Sequence, residues 1–387
     1  MKTLLLDSGI IPFDQSVHAV RRFTKKNKII IIQHPHPRAW HPDVSRLDTY
    51  SYYDMETARM EWLSPDEAKK YDECLPAILN DLRTVMLAER IYGTKGWQSL
   101  FSHVQAVEKQ IINSLRFLMS IKPDIFLLQA TPHDIRQWSM AKTAEFLNIP
   151  ILMFQSSPLP WRAWMVKGID RQDVLCPDSI VSANPVEKKE INLKEQFIDT
   201  NSGIYIDALP SYEKARIDAR GGRFWSWKKE LKDINEHPSL LPGLYFKRKL
   251  YDSYKRAVSP LPSRDVTTVV FFMHYQPERT SMPEGGRYAQ QWLIIRAIAM
   301  SIPNDWVLLV KEHPSSFMGE YHRAYRSPIL YSEIASLDNV RLVPIEEDTF
   351  SLIDRSVAVA TITGTVGMQA LIRGKPVLIF GTAPYRG

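Results

Sequence analysis

Over the first 180 residues, short apolar runs alternate with longer amphipathic ones. Lys28-Ile29-Ile30-Ile31-Ile32-Gln33 is β-branched and leads into a loop rich in His and Pro, the pattern of a strand buried in a parallel sheet. Residues 73–92 and 97–120 carry apolar side chains at helical spacing. A strand at 124–129, a helix at 134–147 and a strand at 149–154 follow. This rhythm predicts a doubly wound α/β domain over 1–180. Residues 181–262 break it, being polar, basic in places and aromatic, as in Arg223-Phe224-Trp225-Ser226-Trp227-Lys228-Lys229. They read as a helical insertion and connection, touching a membrane or an acceptor glycan or simply packing an aromatic face on a domain. From Val266 the alternation returns: strands at 266–273, 306–310, 339–343, 357–362 and 376–380, with helices at 288–302, 329–336, 348–355 and 365–373. Residues 263–387 therefore form a second doubly wound domain.

Composition narrows the class. A chain of 387 residues with 44% hydrophobic and 24% charged residues is a folded protein of more than one domain. Two cysteines, Cys74 and Cys176, have neither disulfide-framework nor metal spacing, which fits a reducing cytoplasm. The opening Met1-Lys2-Thr3-Leu4-Leu5-Leu6-Asp7 is too short and too quickly interrupted for a signal peptide. No run approaches the ~20 apolar residues that cross a bilayer. The net charge of +6 suits phosphate-bearing, acidic or membrane-borne substrates, and no Lys/Arg tract speaks for nucleic acid.

Candidate chemistry gathers at the carboxyl ends of the second domain's strands, where open α/β sheets bind ligands. Thr363-Gly364-Thr365 opens a helix directly after a strand, offering backbone amides, hydroxyls and the helix dipole to a phosphate. An ordinary N-cap is the alternative. Lys311 and His313 stand two apart after another strand and would face one anion together, with His313 partly protonated near its ordinary pKa of ~6.5. Glu346 and Glu347, in Pro344-Ile345-Glu346-Glu347-Asp348, offer a carboxylate to ribose hydroxyls or an acidic start to a helix. His274-Tyr275-Gln276-Pro277-Glu278 and the pair Gly285-Gly286 complete the set.

These segments, with Val310-Lys311-Glu312-His313-Pro314 and Gly374-Lys375-Pro376, resemble the bacterial capsule polysaccharide biosynthesis family, which includes transferases of Kdo and related acidic sugars. Lys-x-His-Pro also resembles the His-Pro motif of bacterial GT-B sialyltransferases. The resemblance covers about 266–381 and, in the first half, rests on Thr131-Pro132-His133-Asp134. It implies a GT-B fold, two Rossmann-like domains facing a cleft. It implies His313 and Lys311 on the donor phosphate, Thr363, Gly364 and Thr365 completing the cradle with His274 and Gln276, and Glu346 or Glu347 on the ribose. It further implies a CMP-sugar donor, no metal and no other cofactor, and a polysaccharide or glycolipid acceptor at the inner face of the cytoplasmic membrane. Gln290-Gln291 departs from relatives that carry an acid beside the glutamine. GT-B proteins also continue beyond a segment such as 381–387, so a longer protein is expected.

The catalytic base is assigned among His133, Asp134, Asp7 and Glu278, because an inverting transfer needs an acid–base group against the acceptor hydroxyl. His34, His36 and His41 match no zinc spacing and read as a loop on the acceptor side. The leading expectation is transfer of Kdo or a nonulosonic acid from its CMP form. The alternatives are a UDP-sugar transferase or 2-epimerase of the same fold, and a non-catalytic nucleotide-sugar-binding module of a capsule assembly complex. His322 is read as a surface histidine.

Overall fold

A computed structural model describes residues 2–7, 28–33, 48–52, 63–92, 100–156, 163–170, 173–174, 241–276, 278–317 and 326–385. The chain divides into two units, Met1–Pro185 and Val186–Gly387.

The first unit holds a seven-stranded sheet of β1 (Thr3–Asp7), β2 (Lys28–Gln33), β3 (Asp48–Ser51), β4 (Ile125–Leu128), β5 (Ile151–Ser156), β6 (Ala163–Lys167) and β7 (Asp173–Val174), in the order β3-β2-β1-β4-β5-β6-β7. The strands through β5 are parallel, and β6 and β7 add antiparallel pairs at one edge. Among the described residues four helices accompany them: α1 (Pro65–Leu79), α2 (Leu82–Tyr92), α3 (Leu100–Ile121) and α4 (Ile135–Phe146). The single helix expected at 73–92 is two. The first starts at Pro65 because Ser64 and Glu67 form a reciprocal capping box, a start signal that periodicity alone does not carry.

The second unit has a five-stranded, wholly parallel sheet of β8 (Thr268–Phe272), β9 (Val307–Lys311), β10 (Val340–Val343), β11 (Ala358–Thr361) and β12 (Val377–Ile379), ordered β10-β9-β8-β11-β12. Its helices are α5 (Leu241–Ala257), α6 (Gln291–Ser301), α7 (Pro328–Ala335), α8 (Thr349–Arg355) and α9 (Thr365–Ile372). All five residues of β8 are buried, as expected where helices cover both faces of a sheet. Val269 and Phe271 pack with Ile294, Ile298, Leu250, Tyr254, Tyr331 and Ile334. Val270 and Phe272 pack with Leu352, Ile353 and Ala370 on the opposite face. Alternation along one strand thus divides the core into two layers. The helix at the end of the expected 181–262 connection, α5, belongs to this core through Leu250, Tyr254 and Ala257. The rest of that segment, through residue 240, lies outside the described residues, as do His34, His36, His41 and His322.

In each sheet the chain reverses its direction of strand addition once, between β1 and β4 and between β8 and β11. Loops leaving the carboxyl ends of strands on either side of such a point diverge onto opposite faces, which opens space for a ligand.

Candidate active site

At the reversal of the second sheet, His274 follows β8 and the Thr363-Gly364-Thr365 turn follows β11. The amide of Thr363 donates to His274 Nε2 (3.3 Å) and the amide of Gly364 donates to Thr361 Oγ1 (3.3 Å). Thr361 Oγ1 in turn lies 3.0 Å from His274 Nε2. Because Nε2 accepts from an amide, the Thr361 hydroxyl directs its proton there too, and the ring proton sits on Nδ1. Burial, then the neighbouring His313 and Arg326, push the His274 pKa down to about 3. His274 is therefore a neutral strut beneath the turn.

The turn leaves α9 without a side-chain cap, since its N-cap residue is Gly364. The amides of Thr365 and Val366 have no acceptor within the helix by geometry, and the dipole adds positive potential at the same place. That is the physical requirement for binding an oxyanion. The Thr363 hydroxyl, by contrast, donates to the Thr280 carbonyl (2.7 Å) and ties down the loop after β8. Tyr385 Oη donates to the Gly364 carbonyl, bringing the 381–385 segment against the same turn.

Behind the turn lies a buried ion pair that the motif reading missed. Arg326 and Glu312 side chains are 2% and 0% exposed. Arg326 Nε donates to Glu312 Oε2 (2.9 Å), Nη1 to Gln276 Oε1 (2.7 Å) and Nη2 to the His274 carbonyl (2.6 Å). Glu312 also accepts from Tyr331 Oη (2.9 Å), Ser316 Oγ (2.9 Å) and the His313 amide (2.8 Å). Burial alone would raise the Glu312 pKa, yet Arg326 and these donors hold it below the ordinary carboxylate value. Gln276 Nε2 donates onward to the Ala289 carbonyl (2.7 Å), so both ends of this amide are engaged within the fold. Gln291 brackets the His274 backbone, accepting from its N–H (2.7 Å) and donating to its carbonyl (2.9 Å).

His313 is half-buried, its ring centroid 6.1 Å from that of Tyr275. Its Nδ1 accepts from the Ser315 amide (3.2 Å), which places the ring proton on Nε2. Burial lowers its pKa to about 4 despite the opposing charge of Glu312, with Arg326 and Lys311 lowering it further. The expected partial protonation is thus corrected: the imidazole offers an anion an N–H, not a charge. The expected pairing with Lys311 is also corrected. Strand β9 ends at Lys311 and a 3-10 turn begins at Pro314, so strand alternation does not carry through to His313. Lys311 is buried, and its Nζ donates to the Glu347 carbonyl and to Thr349 Oγ1 (3.2 Å). Burial lowers its pKa to about 8 against the pull of Asp348, Glu347 and Glu346. Its contacts organise the acidic loop before α8. In that loop Asp348 caps α8 through the Ser351 amide (2.6 Å), Glu346 is exposed and Glu347 half-buried.

In the first unit, Asp7 ends β1 and is 1% exposed. Its Oδ2 accepts from Tyr52 Oη (2.7 Å) and from Gln137 Nε2 (2.9 Å). Asp134 is the N-cap of α4, accepting from the Arg136 amide (2.8 Å) and holding the Arg136 guanidinium in a two-pronged pair (2.9 and 2.7 Å). Both oxygens of Asp134 are thus engaged by Arg136. His133 is half-buried and its Nδ1 lies 3.1 Å from the Thr131 carbonyl. A carbonyl only accepts, so Nδ1 carries the proton and the ring's lone pair is on Nε2. Glu278, in the second unit, accepts from Thr280 Oγ1 (2.8 Å). Among the described residues, no group of three His, Cys, Asp or Glu side chains is placed to hold a metal.

Residues 283–387 match the capsule polysaccharide biosynthesis protein family. The capsule-family segment spans just over a quarter of the chain and contains Glu312, His313, Arg326, Glu346 and the Thr363–Thr365 turn. No curated protein matches the chain. Among solved structures, a UDP-GlcNAc 2-epimerase from Neisseria meningitidis bound to UDP-GlcNAc is 13% identical over 98% of this chain and 82% of its own, with a TM-score of 0.23. The beta Kdo 2,7 transferase of Thermosulfurimonas dismutans KpsC is 12% identical over 100% and 81%, with a TM-score of 0.31. The beta Kdo 2,4 transferase of the same protein is 16% identical over 68% and 70%, with a TM-score of 0.28. Among the described residues no helix is long and apolar enough to cross a membrane.

Proposed function

We propose that this protein is a glycosyltransferase of capsule polysaccharide synthesis, taking an acidic 2-keto-3-deoxy sugar from a CMP-sugar. One observation carries the reading: the helix start at Gly364, uncapped by any side chain, braced from beneath by neutral His274 and Thr361, at the reversal point of a parallel sheet. The capsule-family match over this segment supports it.

In this reading the donor's phosphate takes the amides of Thr365 and Val366, and His313 donates from Nε2 to a phosphate oxygen. As the glycosidic bond to phosphate breaks, negative charge grows on that oxygen. Fixed amide dipoles and a neutral N–H stabilise it without reorganising. Glu346 or Glu347 takes the ribose hydroxyls. A nucleoside monophosphate leaving group has one phosphate to hold, which suits one helix start and requires no metal to bridge two. His133 removes the acceptor hydroxyl's proton, since its tautomer leaves a lone pair on Nε2, whereas Asp134 is committed to Arg136. The acceptor is a polysaccharide or glycolipid.

The test compares thermal protection by CMP and by UDP, then hydrolysis of CMP-Kdo and of UDP-GlcNAc. Protection by CMP with release of CMP from the Kdo donor supports the reading. Protection by UDP alone, or acceptor-independent consumption of UDP-GlcNAc, overturns it. Donor binding without turnover that His133→Ala leaves unaltered would make the protein a binding module.

A further inference from the structure

Helix α5 buries Leu250, Tyr254 and Ala257 in the second unit's core and turns Tyr245, Arg248, Lys249, Lys255 and Arg256 outward. At about 100° per residue, these five outward positions fall in a sector of about 120°. Asp252 shares the sector and pairs with Arg248 (2.9 Å), so the face carries four cations against one acid. Beside it α7 presents Ile329, with Glu333 exposed on the same helix. Between the two helices runs an open groove of about 480 Å³, lined by Ser253, Arg256, Ala257, Pro328, Ile329 and Ser332 among others.

A row of cations alone is an ordinary solvated surface. Here it adjoins two large apolar groups held in water, Tyr245 at 71% exposure and Ile329 at 64%. Aromatic and aliphatic side chains flanked by Lys and Arg suit the boundary between lipid headgroups and acyl chains, where both parts find a partner. A soluble acidic glycan would use the cations and leave Tyr245 and Ile329 exposed.

We propose that the α5–α7 face docks on an anionic lipid bilayer, with Arg248, Lys249, Lys255 and Arg256 over the headgroup phosphates and Tyr245 and Ile329 at the acyl boundary. The groove beside Arg256, with its serine hydroxyls and apolar wall, has the chemistry to seat one phosphodiester headgroup. This stands apart from the donor reading, because bilayer binding needs no turnover.

The experiment is flotation of the full chain with phosphatidylglycerol-containing and with pure phosphatidylcholine vesicles at low ionic strength. Partition should favour the anionic vesicles by at least ~10-fold. At roughly fivefold per cation, Arg248→Gln/Lys249→Gln/Arg256→Gln should weaken it by ~100-fold. The charge-matched control Lys69→Gln/Lys122→Gln/Lys167→Gln, on exposed first-unit positions, should change it by less than ~2-fold. Tyr245→Ser/Ile329→Ser should remove the binding that survives high salt. Equal partition into both vesicle types, or equal loss in the two triple variants, overturns the proposal. Retention by dextran sulfate without vesicle binding also overturns it and assigns the face to an acidic glycan.

Discussion

The guanidinium of Arg326 holds Glu312 at 2.9 Å and the His274 carbonyl at 2.6 Å, so one buried cation ties together the loops that leave β8 and β9. Replacing one partner of such a pair strands the other without compensation, at a cost of about 3–5 kcal/mol. Arg326→Met should lower the unfolding free energy by that much in urea denaturation. Arg326→Met/Glu312→Gln should recover at least ~2 kcal/mol of it. If the single variant costs less than ~1 kcal/mol, the pair does not brace these loops.

Acid should weaken the fold in two stages. His274 and His313 have folded pKa values of about 3 and about 4, below the unfolded value of ~6.5. Between these values the unfolded chain binds more protons, so stability falls as the pH drops from about 6.5. Glu312 is depressed below its ordinary value, so its contribution is full above ~4.5 and is lost only below that. Urea midpoints measured between pH 7 and 5 should decline in the wild type and decline less in His274→Asn. Parallel profiles would show that His274 is not held neutral.

Lys311 gives the opposite end of the scale. Its folded pKa of about 8 lies below the usual lysine value, so the unfolded chain holds more protons from about pH 8 to 10.5, and stability rises with pH there. The rise should vanish in Lys311→Met, which removes the donor to Glu347 and Thr349. A rise unchanged in the variant would place the titration elsewhere.

Two glycines should separate shape from strain. A Cβ at Gly364 would lie 2.9 Å from Thr361 Oγ1 and 3.2 Å from His274 Nε2, so Gly364→Ala must displace either the turn or the two side chains that brace it. Its affinity for CMP should fall by at least ~10-fold, the scale of a lost or misaligned charged hydrogen bond. Gly374 has φ +75° and nothing within 4 Å of its built Cβ. Gly374→Ala should therefore cost about 1 kcal/mol of stability with CMP affinity unchanged. Equal CMP affinity in the two variants would remove the turn from the donor site.

Much of the second unit was legible because β-branched runs and amphipathic segments alternate there without interruption. Strands β8, β10, β11 and β12 fall within the segments that periodicity marked, β9 runs one residue past its own, and each turn of interest follows a strand as expected. Strand β7 has only two residues in which to show a period, and the five of β6, Ala163-Trp164-Met165-Val166-Lys167, do not alternate. Position was legible where role was not. Thr363, His274, Gln276 and Lys311 stand at the expected strand ends, yet their polar atoms are engaged by Thr280, Thr361, Ala289 and Glu347. No spacing rule reports which neighbour a buried donor finds. Arg326 escaped notice for the same reason: Arg-Ser-Pro before a helix reads as a loop, and only the fold brings it 14 residues back to Glu312. Pro328 and the Ser327 cap beside it were the available signal that this loop is anchored.

The uncapped start of α9 has a consequence for mutagenesis. The donors that the proposed function assigns to the phosphate are main-chain atoms, common to every amino acid except proline, so trimming the side chain of Thr365 or Val366 leaves them in place. An alanine scan of Thr363, Thr365 and Val366 would pass over these two amides. Only a change that bends the chain, or a proline at 365 or 366, reaches them.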